Sequence, residues 1–157
     1  MLDITEEHIR QSNLIENIDD PAEDEQSMVA WLILNGTDKL SHGLICKVQK
    51  VITLHQSDLA PNERGYYRDM ARVDVRVGAY RPPAYALVPG LMDNWLLDYE
   101  ELGPWRAHVR FEKVHPFVDG NGRTGRLLLW RQEILLGKEP TLIKAADRLS
   151  YYRRLAA

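Results

Sequence analysis

Apolar residues recur every three or four positions along most of this chain, and short polar or Gly/Pro-rich breaks separate the periodic stretches. The first stretch predicts a helix from Thr5 to about Asn17, with Thr5 as N-cap and Glu6 and Glu7 in the first turn. Ile18-Asp19-Asp20-Pro21 closes it. A second helix is predicted over Asp24 to Leu34 with Met28, Val29, Trp31 and Leu32 inward, and Asn35-Gly36 breaks it. Ser41 caps a third, in which Leu44, Ile45, Val48, Val51, Ile52 and His55 form one core-facing stripe, giving His55 a packing role. From Gln56 to Gly90 the pattern changes. Val73, Val75 and Val77 alternate with Asp74 and Arg76, Gly78 to Pro83 reads as a turn, and Ala84 to Val88 as a returning strand. A two-stranded hairpin is marginal alone, so it is expected to lean on the helices and leave one edge free.

Helical spacing resumes after Pro89-Gly90. Leu91, Met92, Trp95 and Leu96 face inward on a helix from Leu91 to about Glu101, which Leu102-Gly103-Pro104 interrupts. Pro104 suits the first turn of the next helix, Trp105 to Val114, which delivers His115. His108, seven residues earlier, lies on a similar face and is assigned a core or supporting role. A further helix runs from Leu127 to Leu136 until Gly137 stops it. Thr141 is expected to cap a last helix through Ser150 to Arg154, and Tyr151 to Leu155 reads as the start of a closing helix. The fold class is therefore mainly α, one domain over residues 1–157, with a small β-hairpin.

Composition narrows the setting. A net charge of −3 without a Lys/Arg-rich block points away from nucleic acid and anionic membranes. The single cysteine, Cys46, has no internal disulfide partner and reads as a small packed residue in a reducing compartment. The start MLDITEEHIR is too polar for a secretory signal, and the run Met28 to Leu34 falls far short of the ~20 apolar residues that span a bilayer. The expected location is the cytoplasm.

The candidate chemistry sits in His115-Pro116-Phe117-Val118-Asp119-Gly120-Asn121-Gly122-Arg123-Thr124-Gly125-Arg126. Gly120 and Gly122 allow positive φ and bring backbone amides close to a ligand. A helix starting there adds the positive end of its dipole, and Arg123 and Arg126 suit phosphate oxygens. Asp119 is a hard oxygen ligand for Mg²⁺ shared with phosphates, and His115 is a general-base candidate. Together these residues describe a site that holds a Mg²⁺-polyphosphate and activates a nucleophile.

This stretch resembles the signature of the Fic (Fic/Doc) family, His-x-Phe-x-Asp/Glu-Gly-Asn-Gly-Arg-x-x-Arg, at every fixed position. The resemblance implies AMP transfer from ATP to a hydroxyl of a target protein: His115 as base, Asp119 on Mg²⁺, Gly120, Asn121 (amide and side chain) and Gly122 cradling phosphates, Arg123 neutralising them, and Arg126 on the γ-phosphate. It also implies that the hairpin in residues 65–90 is a flap onto which the target docks. Ser12-Asn13-Leu14-Ile15-Glu16-Asn17 is similar to the family's inhibitory motif, Ser/Thr-x-x-x-Glu-Gly/Asn. Residues 1–20 then form an inhibitory helix in which Ser12 and Glu16 act, Glu16 pairing with Arg126. Alternatives are removal of AMP from a modified protein at the same site and a nucleotide-sensing interaction module. The implied partners are ATP and a target protein, with self-association left open.

Overall fold

The computed structural model describes residues 1–69 and 79–157. Among them run seven α-helices: α1 Glu6–Ile15, α2 Pro21–Asn35, α3 His42–Ile52, α4 Val88–Leu102, α5 Pro104–Val114, α6 Asn121–Leu135 and α7 Arg148–Ala156. Helix α6 is the axis. The run Arg123 to Glu133 is buried throughout, its charged and amide side chains hydrogen-bonded, and α1, α2, α3 and α5 all pack on it. At Gly125 a side chain would collide with the Glu112 carboxylate of α5, so glycine lets these two helices approach. Helix α4 packs behind α5, and α2 pairs with α3.

Three fully buried indoles mark the core, and each finds an acceptor for its N–H. Trp95 donates to Ala107 O at 2.9 Å, Trp130 to Thr141 O at 2.8 Å and Trp31 to Asp3 Oδ1 at 3.1 Å. The helix ends follow their local chemistry. Asp20 accepts from Ala22 N–H at 3.0 Å and Ser41 from Leu44 N–H at 3.1 Å, while Gly103 takes φ 79° before Pro104.

Several expectations are corrected. Among the described residues there is no hairpin, and the first predicted strand, 73–77, lies outside them together with Gly78 of the turn. The returning strand is instead a 3₁₀ turn, Tyr85–Leu87, running straight into α4. Pro89 sits in the first turn of that helix, where its missing N–H costs nothing, and Val88 is fully buried there. Helix α2 starts three residues earlier than expected and buries Ser27, Ala30, Trp31 and Leu34, a single i, i+3, i+4, i+7 face. Val29 and Leu32 therefore point outward. Helix α3 ends at Ile52 with Thr53 as its C-cap, so His55 leaves the stripe, lies exposed, and comes within 3.8 Å of Glu23. Thr141 caps no helix; its N–H and O–H both donate to the Glu133 carboxylate, at 3.0 and 2.6 Å.

Candidate active site

The turn between α5 and α6 carries the site. His115 ends α5 in the left-handed region, φ 50° and ψ 62°, a conformation that costs an L residue about 1–2 kcal/mol and is held by its surroundings. Phe117, fully buried, anchors the turn with its ring 5.4 Å from that of Tyr67. Asn121 pins the same turn: its Oδ1 accepts from Phe117 N–H and its Nδ2–H donates to Phe117 O, both at 2.9 Å. The side chain expected to touch phosphates is thus engaged inside the loop, and Asn121 offers a ligand its backbone N–H. Gly120 takes φ 81° as N-cap of α6. Gly122 does not need positive φ. It lies in the helix, where any Cβ would run into Glu16 Oε1 and the Arg126 guanidinium. The first N–H groups of α6 have no intrahelical partner, which makes this end receptive to anions.

Asp119 and Arg123 face each other across this end. Asp119 Oδ1 accepts from Gly120 N–H at 2.7 Å, and its half-exposed carboxylate lies 3.9 Å from Arg123 Nη2. Gln56 bridges the two, its Nε2–H donating to Asp119 Oδ2 and its Oε1 accepting from Arg123 Nη2 at 3.0 Å. Gln49, wholly buried, donates from Nε2 to Asp119 O at 3.0 Å. Arg123 is only 5% exposed, and among the described residues its Nε has no hydrogen-bond partner. An orphaned guanidinium N–H this deep costs about 1–3 kcal/mol unless a ligand satisfies it. A single carboxylate with open oxygen sites, beside a place for phosphates, also suits Mg²⁺, which keeps waters and shares phosphate ligands.

Arg126, 1% exposed, points to the other side, under α1. Its Nε–H donates to Ser12 Oγ at 2.7 Å, and Nη2 donates to Ser12 O at 3.0 Å and to Glu16 Oε1 at 2.8 Å. The predicted pair of Glu16 with Arg126 is thus present as a contact. The end of α1 makes it possible. Ile18 N–H bonds Asn13 O and Asn17 N–H bonds Leu14 O, each at 3.0 Å, a Schellman stop with Asn17 left-handed at φ 59°. Asn17, the last residue of the motif, is therefore a backbone requirement, since Asn tolerates this conformation. Glu16 N–H turns to Asn13 O at 3.0 Å, and Ser12 O serves Arg126.

Beneath Arg126 lies a buried relay. Arg126 Nη1 donates to the Tyr151 hydroxyl at 3.3 Å, Tyr151 donates to His108 Nε2 at 2.7 Å, and His108 Nδ1–H donates to Gly125 O at 3.1 Å. These partners fix the His108 tautomer, and burial, with Arg126 nearby, pulls its pKa down to about 3. The assignment of His108 as a supporting residue fits this place. Glu112 is the odd member: burial pushes its carboxyl up to about 8, and among the described residues its Oε1 lacks a hydrogen bond. His115 is neutral as well. Burial first, then the nearby Arg68 charge, lower it to about 4 against the opposing pull of Asp119 and Glu16.

Gln49, Gln56, Arg68, Glu112 and Tyr151 escaped the sequence reading. Most stand in helices or turns with no local pattern to mark them, and only Glu112, three residues before His115, lay near the signature.

The fold and the site together define a helical domain in which an anion-receptive helix end carries Asp119 and Arg123 on one side and Arg126 on the other, and follows directly on a neutral imidazole. The chain belongs to the Fic/DOC family, whose sequence model matches residues 39–132. It is 35% identical over 120 residues to a protein of Nematostella vectensis named protein adenylyltransferase Fic, covering 69% of this chain and 27% of that one. A protein of the same name from Drosophila grimshawi is 32% identical over 124 residues, covering 69% and 24%. The chain thus spans about a quarter of the length of these relatives. Among solved structures, a Fic domain containing signaling protein from Bacteroides thetaiotaomicron shares the fold, with TM-score 0.79 and 19% identity over 96% of this chain and 70% of that one. A Fic family protein from Desulfovibrio desulfuricans gives TM-score 0.71 at 25% identity, covering 96% and 56%.

Proposed function

We propose that this domain transfers AMP from ATP to a hydroxyl group of a target protein, and that Glu16 restrains the reaction. The observation that carries the reading is the buried Nε of Arg123 at the N-terminus of α6, without a hydrogen-bond partner among the described residues and a short turn away from the neutral imidazole of His115. Relatives named protein adenylyltransferase support the same chemistry. The triphosphate is held by the α6 amides and Arg123, with Arg126 for the γ-phosphate. His115 takes the proton of the target hydroxyl as its oxygen attacks the α-phosphorus. The new P–O bond forms, the bond to the bridging oxygen of pyrophosphate breaks, and the proton stays on the imidazole. Asp119 would hold Mg²⁺, which when bound offsets charge on the phosphate oxygens.

Restraint follows from the contact of Glu16 with Arg126. Carboxylate and γ-phosphate compete for one guanidinium, so the nucleotide cannot seat productively while α1 keeps its grip. The test is labelling of a native lysate and of the chain itself with ATP carrying ³²P at either the α or the γ position. AMP transfer labels protein from the α position alone, more strongly with Glu16→Gly than with the parent. Label from the γ position, or equal labelling by parent and variant, contradicts the reading.

A further inference from the structure

The region from Gln56 to Gly90, which already places Gln56 between Asp119 and Arg123, also sends a side chain under the base. Arg68 is 6% exposed. Its Nε–H donates to His115 O at 2.6 Å, and its Nη2 donates to Val114 O at 3.1 Å and to Pro83 O at 2.6 Å. Its own backbone N–H donates to Pro116 O at 2.8 Å. One residue therefore binds the carbonyls of three consecutive residues, Val114, His115 and Pro116, where α5 ends and the chain turns left-handed. A helix C-terminus leaves such carbonyls unsatisfied and partly negative, and a guanidinium fork answers both needs.

We propose that Arg68 is a positioning residue for the base, clamping the backbone of His115 in its left-handed conformation and setting where the imidazole stands against the attacking hydroxyl. The inference rests on the proposed AMP transfer for its kinetic consequence, but not for its geometry. Two effects are separable. The fork fixes position, since without it His115 is free to relax to an ordinary conformation and the near-attack geometry is lost. The charge acts on the ring: together with burial, Arg68 holds the imidazole low, against Asp119 and Glu16, which pull the other way. The same side chain, through Pro83 O, ties the segment preceding α4 to the base.

The experiment compares Arg68→Lys and Arg68→Met, both in the Glu16→Gly background. The imidazole of His115 is followed by NMR titration, ATP binding by calorimetry and label transfer by steady-state kinetics. Expected for Arg68→Met is a His115 pKa raised by about one pH unit or more, unchanged ATP affinity, and a fall of kcat by about 100-fold with KM for ATP within about twofold. Arg68→Lys keeps the charge and loses the fork, so its titration stays near the parent's while kcat falls by about 10-fold or more. A His115 titration that is the same in all three proteins overturns the proposal even if no transfer is ever detected. So does a kcat unchanged by both substitutions in a protein that does transfer AMP. Absence of transfer in the Glu16→Gly parent, with the NMR shift present, overturns the functional reading and leaves the clamp standing. Should Arg68→Met fail to fold, Arg68→Lys with its unmoved titration and lowered kcat decides, and an Arg68→Lys that matches the parent in both overturns the clamp.

Discussion

His115 is neutral at pH 7, its pKa drawn down from the ordinary 6.5 to about 4 by burial and by Arg68, so the ring is open to a proton. His115→Ala is expected to abolish AMP transfer and leave ATP binding within about twofold, measured by label transfer and calorimetry. Asn121 supplies the opposite case. Its side chain holds both polar groups of Phe117, so Asn121→Ala should cost about 1–3 kcal/mol in urea unfolding. The signature residues were legible in the sequence because several chemistries stand at fixed spacing in one short run. What each does was less so. The Asn121 side chain pins the turn and Gly122 leaves room for Glu16 and Arg126, and only the folded chain shows which atoms are already taken. Gln56 illustrates the limit most sharply, since it lies 63 residues from Asp119 and bridges it to Arg123 through one amide.

At the scale of elements, α1 is fastened rather than resting. His8 Nε2–H donates to Pro140 O at 3.0 Å, Asn13 Nδ2–H to Asp24 Oδ1 at 2.7 Å, Ala145 N–H to Gln11 Oε1 at 2.8 Å, and Arg148 to Asn17 Oδ1 at 3.0 Å. The restraint proposed for Glu16 would then depend on the helix end and its docking. Asn17→Val puts a β-branched residue where φ is 59° and should fray that end, raising label transfer part of the way toward Glu16→Gly; Asn17→Gly should leave it near the parent. A ratio of one between Asn17→Val and parent would reject this link. The helices at Thr5, Ser41 and Pro104 were legible because amphipathic repeats and N-terminal residues of this kind are local signals, whereas α2, α4 and α6 begin at Pro21, Val88 and Asn121, ahead of the expected Asp24, Leu91 and Leu127. The error over Ala84–Val88 was also local in origin. A five-residue run there suits either strand or helix, and burial of Val88 with Pro89 in a first turn decided for helix.

For the whole molecule, buried titratable groups set opposing pH slopes. His108 is held at about 3 and His115 at about 4, below the ordinary histidine value of 6.5. The unfolded chain takes up these protons as pH falls below 6.5 and the folded chain does not, so their stabilisation is lost down to about pH 4 for His115 and about pH 3 for His108. Glu112 runs the other way. Its carboxyl, raised to about 8 from an ordinary 4.5, keeps its proton in the folded chain, so its contribution is full below 4.5 and fades as pH rises through 8. Glu112→Gln should flatten the decline in thermal midpoint between pH 6 and pH 9 while leaving the acid side unchanged; an unaltered alkaline slope would show that the carboxyl is already ionised. The acid side belongs to both histidines, and Tyr151→Phe, which removes the O–H that donates to His108 Nε2, should lessen the acid-side slope by reducing the share of His108. Among the described residues no helix is long and apolar enough to cross a membrane.

The central claim joins one base, one triphosphate cradle and one competing carboxylate, and three proteins assayed side by side test it: the parent, Glu16→Gly, and Glu16→Gly with His115→Ala, each given α-³²P-ATP and Mg²⁺. The account predicts faint label in the parent, a rise of at least about 10-fold in Glu16→Gly, and none above background in the double variant, with ATP still bound by it. Label in the double variant equal to that in Glu16→Gly would contradict it.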